Sequence, residues 1–182
     1  MAKNIFRYLF YFCAALILLA CAPGQTAEKN QKAANYNAQL GLVYLQHGDI
    51  NLAKSKLLLA NQQSPNDALV LDSMAYFLET TGEAEAAEHY YLQAIKYYPK
   101  YGTVQNNYGT FLCRHNRYQE AIKHFILATQ DIHYLNTASA YENAGWCALK
   151  IPDKKLAKKY LQKSLANDPG RESAKKMLYQ IS

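Results

Sequence analysis

The sequence lacks nearly everything that marks an enzyme. It has no glycine-rich phosphate loop, no His-Glu-x-x-His and no Gly-x-Ser-x-Gly, so phosphate cradling, zinc hydrolysis and nucleophile-elbow chemistry have no carrier. Its five histidines, His47, His89, His115, His124 and His133, are scattered, with only the chance neighbours Cys113 and His115 near ligand spacing. No catalytic residue, metal, cofactor or small-molecule substrate is expected. There is no arginine-rich arm either, so nucleic acid is not an expected partner. The one dense basic run, Lys154, Lys155, Lys158, Lys159 and Lys163, reads as a solvated helix face or as a contact for acidic or phosphate-bearing partners. What the chain does have is apolar residues, at 50% of 182. That excludes a disordered chain and suffices for one domain with a real core.

Long apolar runs are also absent, apart from one near the start. Lys3 and Arg7 are followed by an uncharged run from Tyr8 to Ala20, and the composition turns polar at Pro23, Gly24 and Gln25. A membrane-spanning helix needs about 20 apolar residues, so this run has the proportions of a secretory signal. Leu18-Leu19-Ala20-Cys21 resembles a bacterial lipobox, with Leu19 a less usual occupant. On that reading residues 1–20 are removed, Cys21 carries covalent lipid, and 21–33 form a lipidated tether; an ordinary signal with an incidental cysteine is the other reading. Losing Lys3 and Arg7 lowers the net charge from +6 to +4. More than one acyl chain is needed for stable anchoring. Ala22, where an aspartate would favour inner-membrane retention, points to the periplasmic face of a bacterial outer membrane.

The strongest pattern is a period of 34. Gly41, Ala75, Gly109 and Gly145 recur at spacings of 34, 34 and 36, and Ala53, Ala87, Ala121 and Ala157 follow the same spacings. Leu57, Tyr91, Phe125 and Leu161 come four later, then Ala60, Ala94, Ala128 and Ser164 three beyond. Small residues let two helices approach, and a large residue one turn on fills the gap. Pro65, Pro99 and Pro169 close three units, with His133 at the remaining place. Such columns resemble the tetratricopeptide repeat. The expected fold is all-α: a tetratricopeptide-repeat superhelix of four helix-turn-helix units, 34–67, 68–101, 102–135 and 138–171, plus a capping helix over 172–182. Asn136 and Thr137 lengthen the last junction. Single hairpins cannot bury their own faces, so neighbour stacking supplies the stability.

The first helix of each unit lines an inner wall in this fold. Its inward positions include Leu42 and Leu45 in the first unit, and Leu69, Asp72, Tyr76 and Glu79 in the second. Asn106 and Thr110 follow in the third, and Glu142 and Trp146 in the fourth. An apolar and aromatic wall suits an extended or amphipathic peptide. Asp72 and Glu79 are placed to meet a basic side chain, while Trp146 suits either packing between repeats or contact with a partner.

After export, Cys113 and Cys147 are the remaining thiols. They differ by two residues in helix phase, about 200° around and about 3 Å in height. Neighbouring helices present opposite sides to each other, so a disulfide is natural there; two buried free thiols are the alternative.

The run from Asn106 to Cys113, then Arg117-Tyr118 and Glu120-Ala121, and the run Tyr141-Glu142-Asn143-Ala144-Gly145-Trp146-Cys147-Ala148 resemble the third and fourth repeats of the PilF/PilW pilotin family. These are outer-membrane lipoproteins of type IV pilus biogenesis. The resemblance implies a scaffold, not an enzyme, that binds a secretin-type outer-membrane pore and promotes its localisation and assembly. Members of that family can carry about six repeats, against four here. A periplasmic scaffold for envelope maintenance, serving β-barrel assembly or wall-remodelling enzymes, is the alternative.

Overall fold

The computed structural model describes residues 22–181. Cys21, the expected lipid attachment point, and the run before it lie outside the described residues. Within them are nine helices and no strand: α1 (Ala22–Gln46), α2 (Ile50–Gln63), α3 (Ala68–Thr80), α4 (Ala84–Tyr97), α5 (Gly102–Arg114), α6 (Tyr118–Ala128), α7 (Thr137–Ala148), α8 (Lys154–Asn167) and α9 (Glu172–Ile181). None is long and apolar enough to cross a membrane.

The chain divides into two compact units after Pro65. The first is the α1–α2 hairpin. Residues 22–33, expected as a tether, are helical and continuous with the first repeat, so α1 has 25 residues. Residues 27–32 within it are exposed, and Lys32 pairs there with Glu28. From Ala34 onward one face is buried, through Ala34 and Ala38. Asn37 locks the hairpin by donating to Gln63 Oε1 at 3.0 Å.

The second unit contains three hairpins, α3–α4, α5–α6 and α7–α8, with α9 packed on α8. Asp67 caps α3 by accepting from the amides of Leu69 and Val70, and Asp153 caps α8 through Leu156. Such caps satisfy backbone donors that a helix start leaves unpaired. Three of the four hairpin turns use a left-handed residue: Gly48, Gly82 and, at φ 63°, Asn116, because asparagine tolerates that region better than other side chains; the α7–α8 turn uses none. Leu71, Ala94 and Val104 form a core cluster between hairpins, flanked by Ala68, Tyr90 and Ile95.

The columns of the repeat are its packing contacts. A Cβ added to Gly41 would lie 2.7 Å from Leu57 Cγ, one on Gly109 2.9 Å from Phe125 Cδ1, and one on Gly145 2.7 Å from Leu161 Cγ. In these three hairpins the large residue of the second helix thus presses on the backbone of the first. Ala53, Ala87, Ala121 and Ala157 are fully buried, as are Ala60, Ala94, Ala128 and Ser164. Ser164 keeps its hydroxyl satisfied by donating to Ala138 O at 2.8 Å. The third unit departs most from the pattern. Its second helix stops at Ala128, and Asp131 anchors the following loop by accepting from the Gly102 amide at 2.8 Å and the His133 amide at 2.9 Å.

Candidate partner-binding face

In the second unit the first helices of successive hairpins adjoin, α3 with α5 and α5 with α7. Their shared face carries the residues expected to line the inner wall. The structure sorts these into two groups: polar side chains used up between helices, and aromatic side chains left open.

The polar group forms an amide ladder. Asn107 donates to Asp72 Oδ2 at 2.7 Å, Asn106 donates to Asn107 Oδ1 at 3.2 Å, and Asn143 donates to Asn106 Oδ1 at 3.1 Å. One polar thread therefore runs from α3 through α5 to α7. Burial pushes the Asp72 carboxyl up to about 7, against the lowering effect of the Asn107 bond. Its other oxygen, Oδ1, is buried without a protein partner. Glu79 is held by Arg114 at 3.2 Å and by the Tyr91 hydroxyl at 3.4 Å. Burial, and then the Asp72 and Glu79 charges, raise the Tyr91 phenol well above its ordinary value. Glu142 pairs with Arg171, which also donates to Ser139 Oγ at 2.6 Å.

The carboxylates are thus not open for a basic peptide side chain, contrary to the sequence expectation for Asp72 and Glu79. The Glu79 side chain is 10% exposed. A buried charge keeps its partner unless an equally good one replaces it, and Asn107 and Arg114 are held in place on the neighbouring repeat. Thr110 likewise turns inward along its own helix, donating to Asn106 O at 3.0 Å. Asn106 is a rung of the ladder.

What remains open is aromatic. Tyr76 is 39% exposed and Trp146 44% exposed. Lys150 Nζ stands 4.9 Å from the Trp146 ring centroid, a cation–π distance. Leu69 on α3 is half-buried. In the first unit Leu42 is half-buried, whereas Leu45 is buried at 7% exposure. Leu45 therefore packs within the fold and offers a partner little surface, a correction to its expected place on the wall.

A second polar cluster joins α4, α5 and α6. Glu88 accepts from Tyr108 at 2.7 Å and pairs with Arg117. Burial pushes the Glu88 carboxyl up, but the Arg117 and Tyr108 hydrogen bonds outweigh it and leave the pKa lowered. Gln105, buried, donates to Pro99 O at 2.7 Å and meets His124 Nδ1 at 2.6 Å. His124 is thus a packed interface residue, and burial lowers its pKa.

Cys113 on α5 and Cys147 on α7 are joined as a disulfide, with Cα atoms 6.0 Å apart. The bridge lies next to the open face, since Arg114 follows one cysteine and Trp146 precedes the other. Among the described residues no group of three His, Cys, Asp or Glu is placed to hold a metal.

The inter-repeat pairs carry a sequence signal of their own. Asp72 and Asn107 are 35 apart, as are Glu79 and Arg114. Asn106 and Asn143 are 37 apart because the two extra junction residues intervene. Complementary polar residues at one period plus one mark the contact between neighbouring first helices.

Comparison with known proteins agrees with this architecture. Two family models, both described as tetratricopeptide repeat, match residues 74–133 and 138–171. An uncharacterized protein of Haemophilus influenzae is 32% identical over 88% of this chain and 90% of its own length. The type IV pilus assembly protein PilF of Pseudomonas aeruginosa is 32% identical over 87% of this chain, and the match spans 66% of that protein. The solved structure of Pseudomonas aeruginosa PilF superposes with a TM-score of 0.79 at 31% identity, covering 84% of this chain and 69% of that one. That of PilW, described as a widely conserved type IV pilus biogenesis factor, gives 0.75 at 30% identity, covering 81% and 68%. The chain belongs to the PilF/PilW family of tetratricopeptide-repeat proteins.

Proposed function

We propose that this protein is a scaffold of type IV pilus biogenesis that grips a protein partner through its open aromatic face. The observation that carries the reading is the contrast on that face. Its carboxylates and amides are spent on contacts within the fold, while Tyr76 and Trp146 stay exposed on a frame braced by the Cys113–Cys147 bridge. Large aromatic anchors on a rigid support supply binding energy at low entropic cost.

Kinship with PilF, a type IV pilus assembly protein, and with PilW, a type IV pilus biogenesis factor, supports the pathway. The partner proposed is the secretin-type outer-membrane pore. A lipid on Cys21 would hold the scaffold at the periplasmic face of the outer membrane, where that pore assembles. The scaffold itself carries out no chemistry.

A deletion strain tests the proposal. Lost twitching together with secretin left as monomer supports it. Wild-type secretin assembly with altered cell shape or porin levels rejects it in favour of an envelope-maintenance scaffold.

A further inference from the structure

The exposed side of α8 has no part in the aromatic face, yet it is the most uniformly charged surface of the second unit. Ala157, Leu161 and Ser164 are its buried residues. Lys154, Lys155, Lys158, Lys159 and Lys163 are all exposed and, at 100° per residue, sweep roughly half the helix circumference. No acidic residue occurs within Lys154–Asn167.

The arrangement works against the helix that carries it. Lys154 and Lys155 occupy the first turn, where the helix dipole disfavours cations. Lys154 with Lys158, Lys155 with Lys159, and Lys159 with Lys163 are like charges one turn apart, which repel. No ion pair compensates any of the five among the described residues. Lys159 and Lys163 instead lie over the Tyr160 and Tyr141 rings, at 5.7 and 5.2 Å. Apart from the Asp153 cap, nothing local among the described residues offsets this conflict, and such a conflict marks a functional surface.

The geometry points to an electrostatic docking surface on α8 for an anionic phospholipid bilayer. A bilayer fits better than an acidic protein because the lysine arc has no large apolar anchor; only Gln162 and the small Ala166 interrupt it. A specific protein interface needs a desolvated aromatic or arginine centre. Lysines are compact, strongly hydrated point charges suited to a diffuse field of headgroups. The inference holds whether or not Cys21 is lipidated.

Residue-resolved acylation of lysines by a water-soluble reagent, on the full chain mixed with vesicles, tests it. With about one third phosphatidylglycerol in phosphatidylcholine, labelling of the α8 lysines should slow severalfold, while Lys54 and Lys100 keep their rates. Pure phosphatidylcholine should give no such slowing, and roughly half-molar salt should abolish it. The variant K154E/K155E/K158E/K159E should lose the slowing at Lys163, with its thermal midpoint unchanged or raised because the first turn gains favourable charge. Equal rates with both vesicles would overturn the inference. So would slowing by soluble polyglutamate or duplex DNA without slowing by anionic vesicles, which would assign the face to an acidic protein or a nucleic acid.

Discussion

Asn107 donates to Asp72 Oδ2 at 2.7 Å across 35 residues of sequence, joining two repeats through a carboxyl whose second oxygen is buried and unpartnered. The contact sets a pH dependence with a definite sign. An aspartate of ordinary pKa, 3.8, is raised here to about 7 by burial. The folded state therefore binds this proton more tightly than the unfolded state, and its stabilising contribution is lost as pH rises from 3.8 towards 7. Asp72→Asn keeps an acceptor for Asn107 and removes the charge. Its thermal midpoint should exceed the parent's at pH 8, and the two should converge near pH 4. Glu88 and Asp131, whose pKa values are lowered, give both proteins the opposite slope in acid, so the difference between the two melts is the quantity to read. An equal gap at both pH values would contradict the account.

The Cys113–Cys147 bridge closes a loop between α5 and α7 with a sequence separation of 34. Reduction, or Cys113→Ser with Cys147→Ser, should lower unfolding free energy by about 2–4 kcal/mol. Urea melts with and without reductant measure it. Two thiols alkylated in the unreduced protein exported to the periplasm would show that the bond does not form.

Gly109 faces the Phe125 ring at a distance that excludes a methyl group, with a Cβ falling 2.9 Å from Cδ1 and 3.1 Å from Ala121 O. Gly109→Ala should destabilise by about 1–3 kcal/mol through overpacking. Phe125→Leu in the same chain should return part of that loss, read as a coupling energy in a double-mutant cycle. Simple additivity would mean that the ring is not what excludes the methyl.

The fold was legible because the repeat is written in its contacts: Gly41 with Leu57, Gly109 with Phe125 and Gly145 with Leu161 are both the sequence columns and the touching pairs. The pairing of Cys113 with Cys147 was likewise readable from helix phase. The open face was less so. A period locates Asp72, Glu79 and Glu142 on the wall, but not that Asn107, Arg114 and Arg171 engage them. For Asp72 and Glu79 that depends on the one-residue offset between neighbouring first helices, whereas Arg171 reaches Glu142 from the junction after α8. Gly102 shows a similar limit. It begins a repeat without belonging to a column, yet a Cβ there would lie 2.5 Å from Tyr134 Cβ, because the third junction folds back on it.

Arg114 separates the roles of frame and face. Arg114→Ala leaves Glu79, 10% exposed, without its cation, and should cost stability. Tyr76→Ala with Trp146→Ala should leave the melt nearly unchanged, because both rings are substantially exposed. A double variant that melts far below the parent would place these rings in the packing, leaving no open face.

The central claim is that this open aromatic face delivers the secretin to assembly. It is tested most directly by complementing a deletion strain with the parent or with Tyr76→Ala/Trp146→Ala and measuring the secretin multimer in outer membranes. Multimer should form with the parent and be severely reduced with the variant at equal scaffold abundance. Multimer at the parental level with the variant would contradict it.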